Sequence, residues 1–63
     1  MSNAALIKSF RSSLNAGETR RQAHETVMSE LQDLLTEYLE NGLDTGVLMG
    51  LLDWWCDTDY RTL

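Results

Sequence analysis

Apolar residues recur along this chain at helical intervals, and nowhere do they alternate with period two. Val27, Leu31, Leu34 and Tyr38 follow one another at steps of four, three and four, which lines them on one helical face. Met28, Leu35 and Leu39 widen that face. Thr19 and Gln22 have the spacing of a capping box, in which the two side chains satisfy backbone groups at a helix start. Asn41-Gly42 supplies a stop, because glycine can take the left-handed conformation that closes a helix. The pattern predicts one long helix from Thr19 to Gly42, the longest uninterrupted helical stretch of the chain.

Two shorter segments flank it. Asn3 is the expected N-cap of a first helix over about Ala4 to Ser13. Leu6, Ile7, Phe10 and Leu14 form its apolar side, and Lys8, Arg11, Ser12 and Ser13 point elsewhere. Asn15-Ala16-Gly17 reads as a turn. Asp44 is expected to cap a third helix, with Leu43 and Leu48 at the spacing of a hydrophobic staple. That helix turns Val47, Leu48, Leu51, Leu52, Trp55 and Cys56 inward. Trp54 and Trp55 point about 100° apart on a helix. Trp55 lines up with the leucines and is expected inside. Trp54 falls at the boundary, either finishing the core edge or anchoring an interface. Asp57-Thr58-Asp59 interrupts the helix or caps a final turn through Tyr60 and Leu63. The fold class is therefore all-α: a hairpin of helices two and three, a short N-terminal helix laid across it, and one small domain over residues 1–63. Short links join helices that lie side by side and antiparallel.

Size changes this picture. Sixty-three residues bury little apolar surface, and small domains often compensate with disulfides, a metal or self-association. One cysteine and one histidine cannot make an internal disulfide or a structural zinc site of the usual type. Self-association as a homodimer, or a bound partner, is the remaining remedy, and the pattern calls for no cofactor and no metal. The lone thiol fits a reducing cytoplasm. The N-terminus has no apolar leader core, and MSNA suits either a native start or a cloning remnant. The most apolar run, Val47 to Trp55, is far shorter than a membrane span, so no membrane partner is expected.

Charge sharpens the surface. The net charge of −5 is unevenly spread. Residues 1–24 hold Lys8, Arg11, Arg20 and Arg21 against Glu18, a balance of +3. Residues 25–63 hold nine acids against Arg61, a balance of −8. That polarity argues against general nucleic-acid binding, which needs a basic face. Glu30, Asp33, Glu37 and Glu40 form an acidic stripe along the long helix. Such a stripe is most often a solvated face. Here, however, acids gather near the C-terminus of the helix and Arg20 and Arg21 near its N-terminus, both against the helix dipole. Antiparallel pairing of two copies would offset that cost. Val27, Leu31, Leu34 and Tyr38 would form the seam, and Arg20 and Arg21 would meet Glu37 and Glu40 of the partner chain. Glu30, Asp33 and Trp54 would remain for a protein partner with a basic surface. His24 has Glu25 beside it but no indicated nucleophile, so the enzyme class is the least supported.

The stretches AALIKSFRSSLN from Ala4 to Asn15, LLTEYLENGL from Leu34 to Leu43, and LMGLLDWW with YRTL ending at Leu63 resemble the YmgB/AriR family of small bacterial biofilm and acid-resistance regulators. The resemblance implies a short, all-helical, dimeric connector that binds signalling proteins, with effects on DNA binding in some members. It transfers no site residue. The combined expectation is a non-catalytic, acidic, cytoplasmic regulator or inhibitor of another protein. The alternatives are a phage or mobile-element inhibitor of a host nucleic-acid-binding system and a dimeric DNA-binding regulator using Lys8 and Arg11.

Overall fold

A computed structural model describes residues 2–63. Three α-helices and one short 3-10 turn follow in order: α1 (Asn3–Asn15), α2 (Arg20–Glu40), α3 (Gly46–Asp57), and the turn Tyr60–Thr62. No strand occurs among the described residues.

Helix ends explain these boundaries. Thr19 Oγ1 accepts the Gln22 N–H at 3.1 Å while the Gln22 side chain accepts the Thr19 N–H at 3.0 Å. The capping box at the start of α2 is complete. At its other end Gly42 has φ of 66°. The Gly42 N–H reaches the Leu39 carbonyl at 3.2 Å, and the Leu43 N–H reaches the Tyr38 carbonyl at 2.9 Å. Those two bonds are the Schellman closure that only an αL residue permits cheaply. α1 ends the same way at Gly17, φ 97°, with the Glu18 N–H returning to the Ser13 carbonyl at 3.1 Å.

Two starts fall elsewhere than the pattern predicts. α1 is capped by Ser2, whose Oγ accepts the Ala5 N–H at 3.3 Å, so Asn3 is already helical. Serine serves as well as asparagine at this position, and the earlier one starts the helix. In α3 the N-cap position is Thr45, which makes no side-chain cap bond. Asp44 still contributes, accepting the Gly46 N–H at 2.9 Å from one residue further out. That shift moves Leu43 away from the staple position opposite Leu48, and Leu43 stands exposed while Leu48 is buried.

The core consists of Leu6, Phe10, Ala23, Val27, Leu31, Leu48, Leu51 and Trp55. α2 is the central element. Connections of residues 16–19 and 41–45 fold α1 and α3 back along it, and both pack against it. α1 is thus a second partner of α2 rather than a piece laid across a hairpin. It meets α3 where the Phe10 and Trp55 rings pack edge to face, 5.8 Å between centroids. Such aromatic pairs stabilise beyond their buried area.

Trp55 is inside and Trp54 half-buried, as their helical offset predicts. Val47 and Cys56, expected inward, are exposed. The inward face of α3 is centred on Leu48, Leu51 and Trp55, and Val47 and Cys56 sit about 100° to either side of it. Leu39, expected to widen the α2 face, is exposed as well.

Candidate protein-binding surface

The residues expected to join two chains divide between inside and outside. Val27 and Leu31 are 0% and 1% exposed within the single chain. α1 and α3 already cover them, so they are unavailable as an intermolecular seam. Leu34 and Tyr38 are half-buried. Burial along α2 therefore stops at Leu31. The physical reason is length. α2 has 21 residues against 13 in α1 and 12 in α3, and a helix rises about 1.5 Å per residue. α1 runs out before it reaches the C-terminal third of α2.

The charges divide too. Arg20, exposed, reaches along its own chain, its Nη1 donating to the main-chain oxygen of Leu63. Arg21 pairs with Glu25 one turn on, at 3.5 Å, with both side chains exposed. Neither is left pointing at a second chain's Glu37 and Glu40. Glu30, Asp33, Glu37 and Glu40 are all exposed along one side of α2. Glu30 and Lys8 border a shallow groove between α2 and α1. Among the described residues the ion pairs are Arg21–Glu25 and Arg61–Asp59. Among the described residues, no cation is joined to the four acids of the stripe or to Asp44, Asp53 and Asp57 beyond it.

The C-terminal turn folds back beside this body. Asp59 caps it, its Oδ1 accepting Nε of Arg61 at 3.1 Å and the Arg61 N–H at 3.0 Å. The side-chain hydrogen bond from Arg61, then the backbone one, hold the Asp59 carboxyl below its usual range.

His24 is occupied structurally. With the carbonyl as acceptor, its Nε2–H donates to Trp55 O at 2.9 Å, and Trp55 Nε1–H donates to His24 O at 3.0 Å. The two rings stack at 4.9 Å, and the Tyr60 ring lies 5.1 Å from the imidazole. Those bonds clasp α2 to α3. Cys56 Sγ lies 3.5 Å from Met28 Sδ, on a different contact from the His24–Trp55 clasp. Among the described residues no group of three or more His, Cys, Asp and Glu could hold a metal ion, and no helix is long and apolar enough to cross a membrane.

Sequence reasoning missed the apolar residues at the α2–α3 corner. Leu39, Leu43, Val47 and Met49 are all exposed. A signal was available. Leu39, Leu43 and Val47 recur every four residues straight through Asn41-Gly42, where no helix can continue, so they cannot belong to one buried stripe.

No protein-family model, curated protein or solved structure matches the chain.

Proposed function

We propose that this protein is a non-catalytic, protein-binding regulator or inhibitor that acts as a homodimer on a partner with a cationic surface. The observation that carries this reading is the unanswered charge: among the described residues, no cation is joined to the seven acids between Glu30 and Asp57. Unpaired surface carboxylates of one sign steer an oppositely charged partner and repel nucleic acid. The likeness to small dimeric connectors of the YmgB/AriR type agrees with it. A dimer has the half-buried Leu34 and Tyr38 left for its seam, since Val27 and Leu31 are spent inside the chain.

The test is capture from host lysate on the native protein and on a charge-reversed form (Glu30→Lys, Asp33→Lys, Glu37→Lys). The native form should retain a basic protein that the reversed form loses and that moderate salt releases. Identical retention on both forms overturns the reading. A second reading is favoured by shape. The molecule is a rod of 35 × 19 × 15 Å with acids along one side, which suits occupation of a basic nucleic-acid channel in a host enzyme. Competition between the captured protein's nucleic acid and this chain separates that inhibitor from a regulator that binds elsewhere.

A further inference from the structure

α2 and α3 lie antiparallel, joined by residues 41–45, and one contact fixes which of their sides face the same way. Cys56 Sγ lies 3.5 Å from Met28 Sδ. The side of α2 that carries Met28 and the side of α3 that carries Cys56 therefore form one surface. Helical geometry extends that surface from the contact. At 100° per residue, Leu35 and Leu39 point within about 20° of Met28, and Met49 and Leu52 within about 40° of Cys56. Leu35 and Met49 are each seven residues from the contact, both toward the connection, so both stand about 10 Å from it. Leu39 stands about 16 Å from it. The six side chains make one strip along the α2–α3 seam. Val47 points away from it, about 180° round α3 from Cys56.

The core leaves most of this strip uncovered. Leu39 is 64% and Met49 54% exposed, Cys56 is exposed, and Met28, Leu35 and Leu52 are covered only in part. Contiguous exposed apolar surface marks an interaction site, and methionine adapts its shape to a partner. The charges that border the strip are gathered at one end. Arg21 and Glu25, paired with each other, lie beyond Met28, and Asp53 and Asp57 flank Cys56. Toward the connection the margins are Gln32, Thr36 and Thr45, all uncharged.

That uneven margin selects a second copy and its direction. A two-fold axis across the rod runs two copies antiparallel. It lays apolar surface on apolar surface and the acidic end of each strip on the uncharged end of the other. An axis along the rod would instead gather Glu25, Asp53 and Asp57 of both copies at one end, and like charges across an interface are costly. We propose that this strip is the seam of an antiparallel homodimer. Leu35 and Met49 lie near the two-fold axis, and Leu39 of each copy rests against Met28 and Cys56 of the other, the reciprocal pairing a two-fold interface requires. The strip is about 16 Å long, so the contact is small and the dimer a weak one. The proposal rests on the reading that the protein acts as a homodimer, and it specifies the surface. Glu30, Asp33 and Glu37 lie on the α1 side of α2, where Glu30 borders the groove with Lys8, and they stay free for a cationic partner.

The experiment is sedimentation under reducing conditions, over a range of concentrations, of the native chain, a Leu39→Ser, Met49→Ser double variant and Val47→Ser. Each substituted residue is exposed, and thermal unfolding by circular dichroism checks that each variant folds. The double variant should raise the dimer dissociation constant about tenfold or more, and Val47→Ser should leave it unchanged. Direction is read by cross-linking. Mild oxidation should trap Leu39→Cys as a covalent dimer bridged to Cys56 of the other copy, because within one chain the two positions are about 16 Å apart and cannot bridge. The native chain should not be trapped, because the axis holds its two Cys56 thiols about equally far apart. A native chain trapped as readily as the variant overturns the antiparallel seam. An unchanged dissociation constant in the double variant overturns the strip. If Tyr38→Ser raises that constant while the double variant does not, the seam lies at Leu34 and Tyr38 and the homodimer reading stands without this proposal. A single species of about 7 kDa at every concentration removes both.

Discussion

Trp55 carries more of this fold than any other side chain. It is fully buried, packs on Phe10 and His24, and donates its indole N–H across the α2–α3 contact. Truncating such a residue to alanine costs about 3–5 kcal/mol. The whole stability of a domain this size is on the order of 3–9 kcal/mol. Trp55→Ala should therefore populate the unfolded state strongly at room temperature, as urea unfolding followed by circular dichroism would show. Trp54→Ala should leave the fold cooperative. Asp59 offers a milder residue-scale test. Because its carboxyl is held below the usual range, its contribution is present above the ordinary aspartate value and is lost as pH falls through the lowered one. The Tyr60 ring signals should thus hold steady on acidification through about pH 4 and move only below it. In Asp59→Asn that late step should vanish.

Elements of this protein are bounded by a few residues with defined conformational duties. Gly17 and Gly42 both have positive φ, which a side chain disfavours by roughly 1 kcal/mol or more. Gly50 has no such duty. The three glycines should separate in one series of thermal melts: Gly17→Ala and Gly42→Ala lower the midpoint, and Gly50→Ala raises it, by about 0.5–1 kcal/mol of stability. A fall at Gly50 would mean that the helix there is constrained in some way its open surroundings do not indicate. Thr19→Ala removes the capping box and should cost about 1 kcal/mol.

The whole molecule is a rod because one helix is much longer than its two neighbours. Its radius of gyration is 11.9 Å, above the roughly 10.6 Å of a compact chain this long. The overhang is what leaves Leu34, Tyr38 and Leu39 incompletely covered. Self-association should show as concentration-dependent sedimentation at micromolar protein, and a single species of about 7 kDa at every concentration would remove the dimer from the proposed function. Leu31→Asp is not a test of that dimer. Leu31 is buried within one chain, so the substitution places a carboxylate in the monomer's own core and should abolish the folded circular dichroism signal at any concentration. Duplex DNA should show no measurable gel shift at physiological ionic strength, given the net charge of −5. A sub-micromolar shift would promote the DNA-binding alternative.

Local chemistry was legible in the residues alone. The Thr19–Gln22 box, the turn at Asn15-Ala16-Gly17, the glycine closure at Gly42, the three helices and the inward turn of Trp55 all depend on neighbours within about one helical turn, and sequence states those neighbours directly. The identity of α2 as the organising element followed from the same periodicity. What covers each face depends on residues far apart in the chain. Periodicity identifies Val27 and Leu31 as wanting burial but does not say whether α1 and α3 or a second copy provides it. The tertiary structure decides this, because α1 folds back over the first part of α2 and runs out before its C-terminal third, while α3 returns along α2 from the other end. It also turns Arg20 toward Leu63, engages His24 with Trp55, and leaves Leu39, Leu43 and Val47 facing outward at the corner. Each outcome is set by relative helix lengths and by the angle at which the chain enters α3, quantities that appear only once the helices are packed.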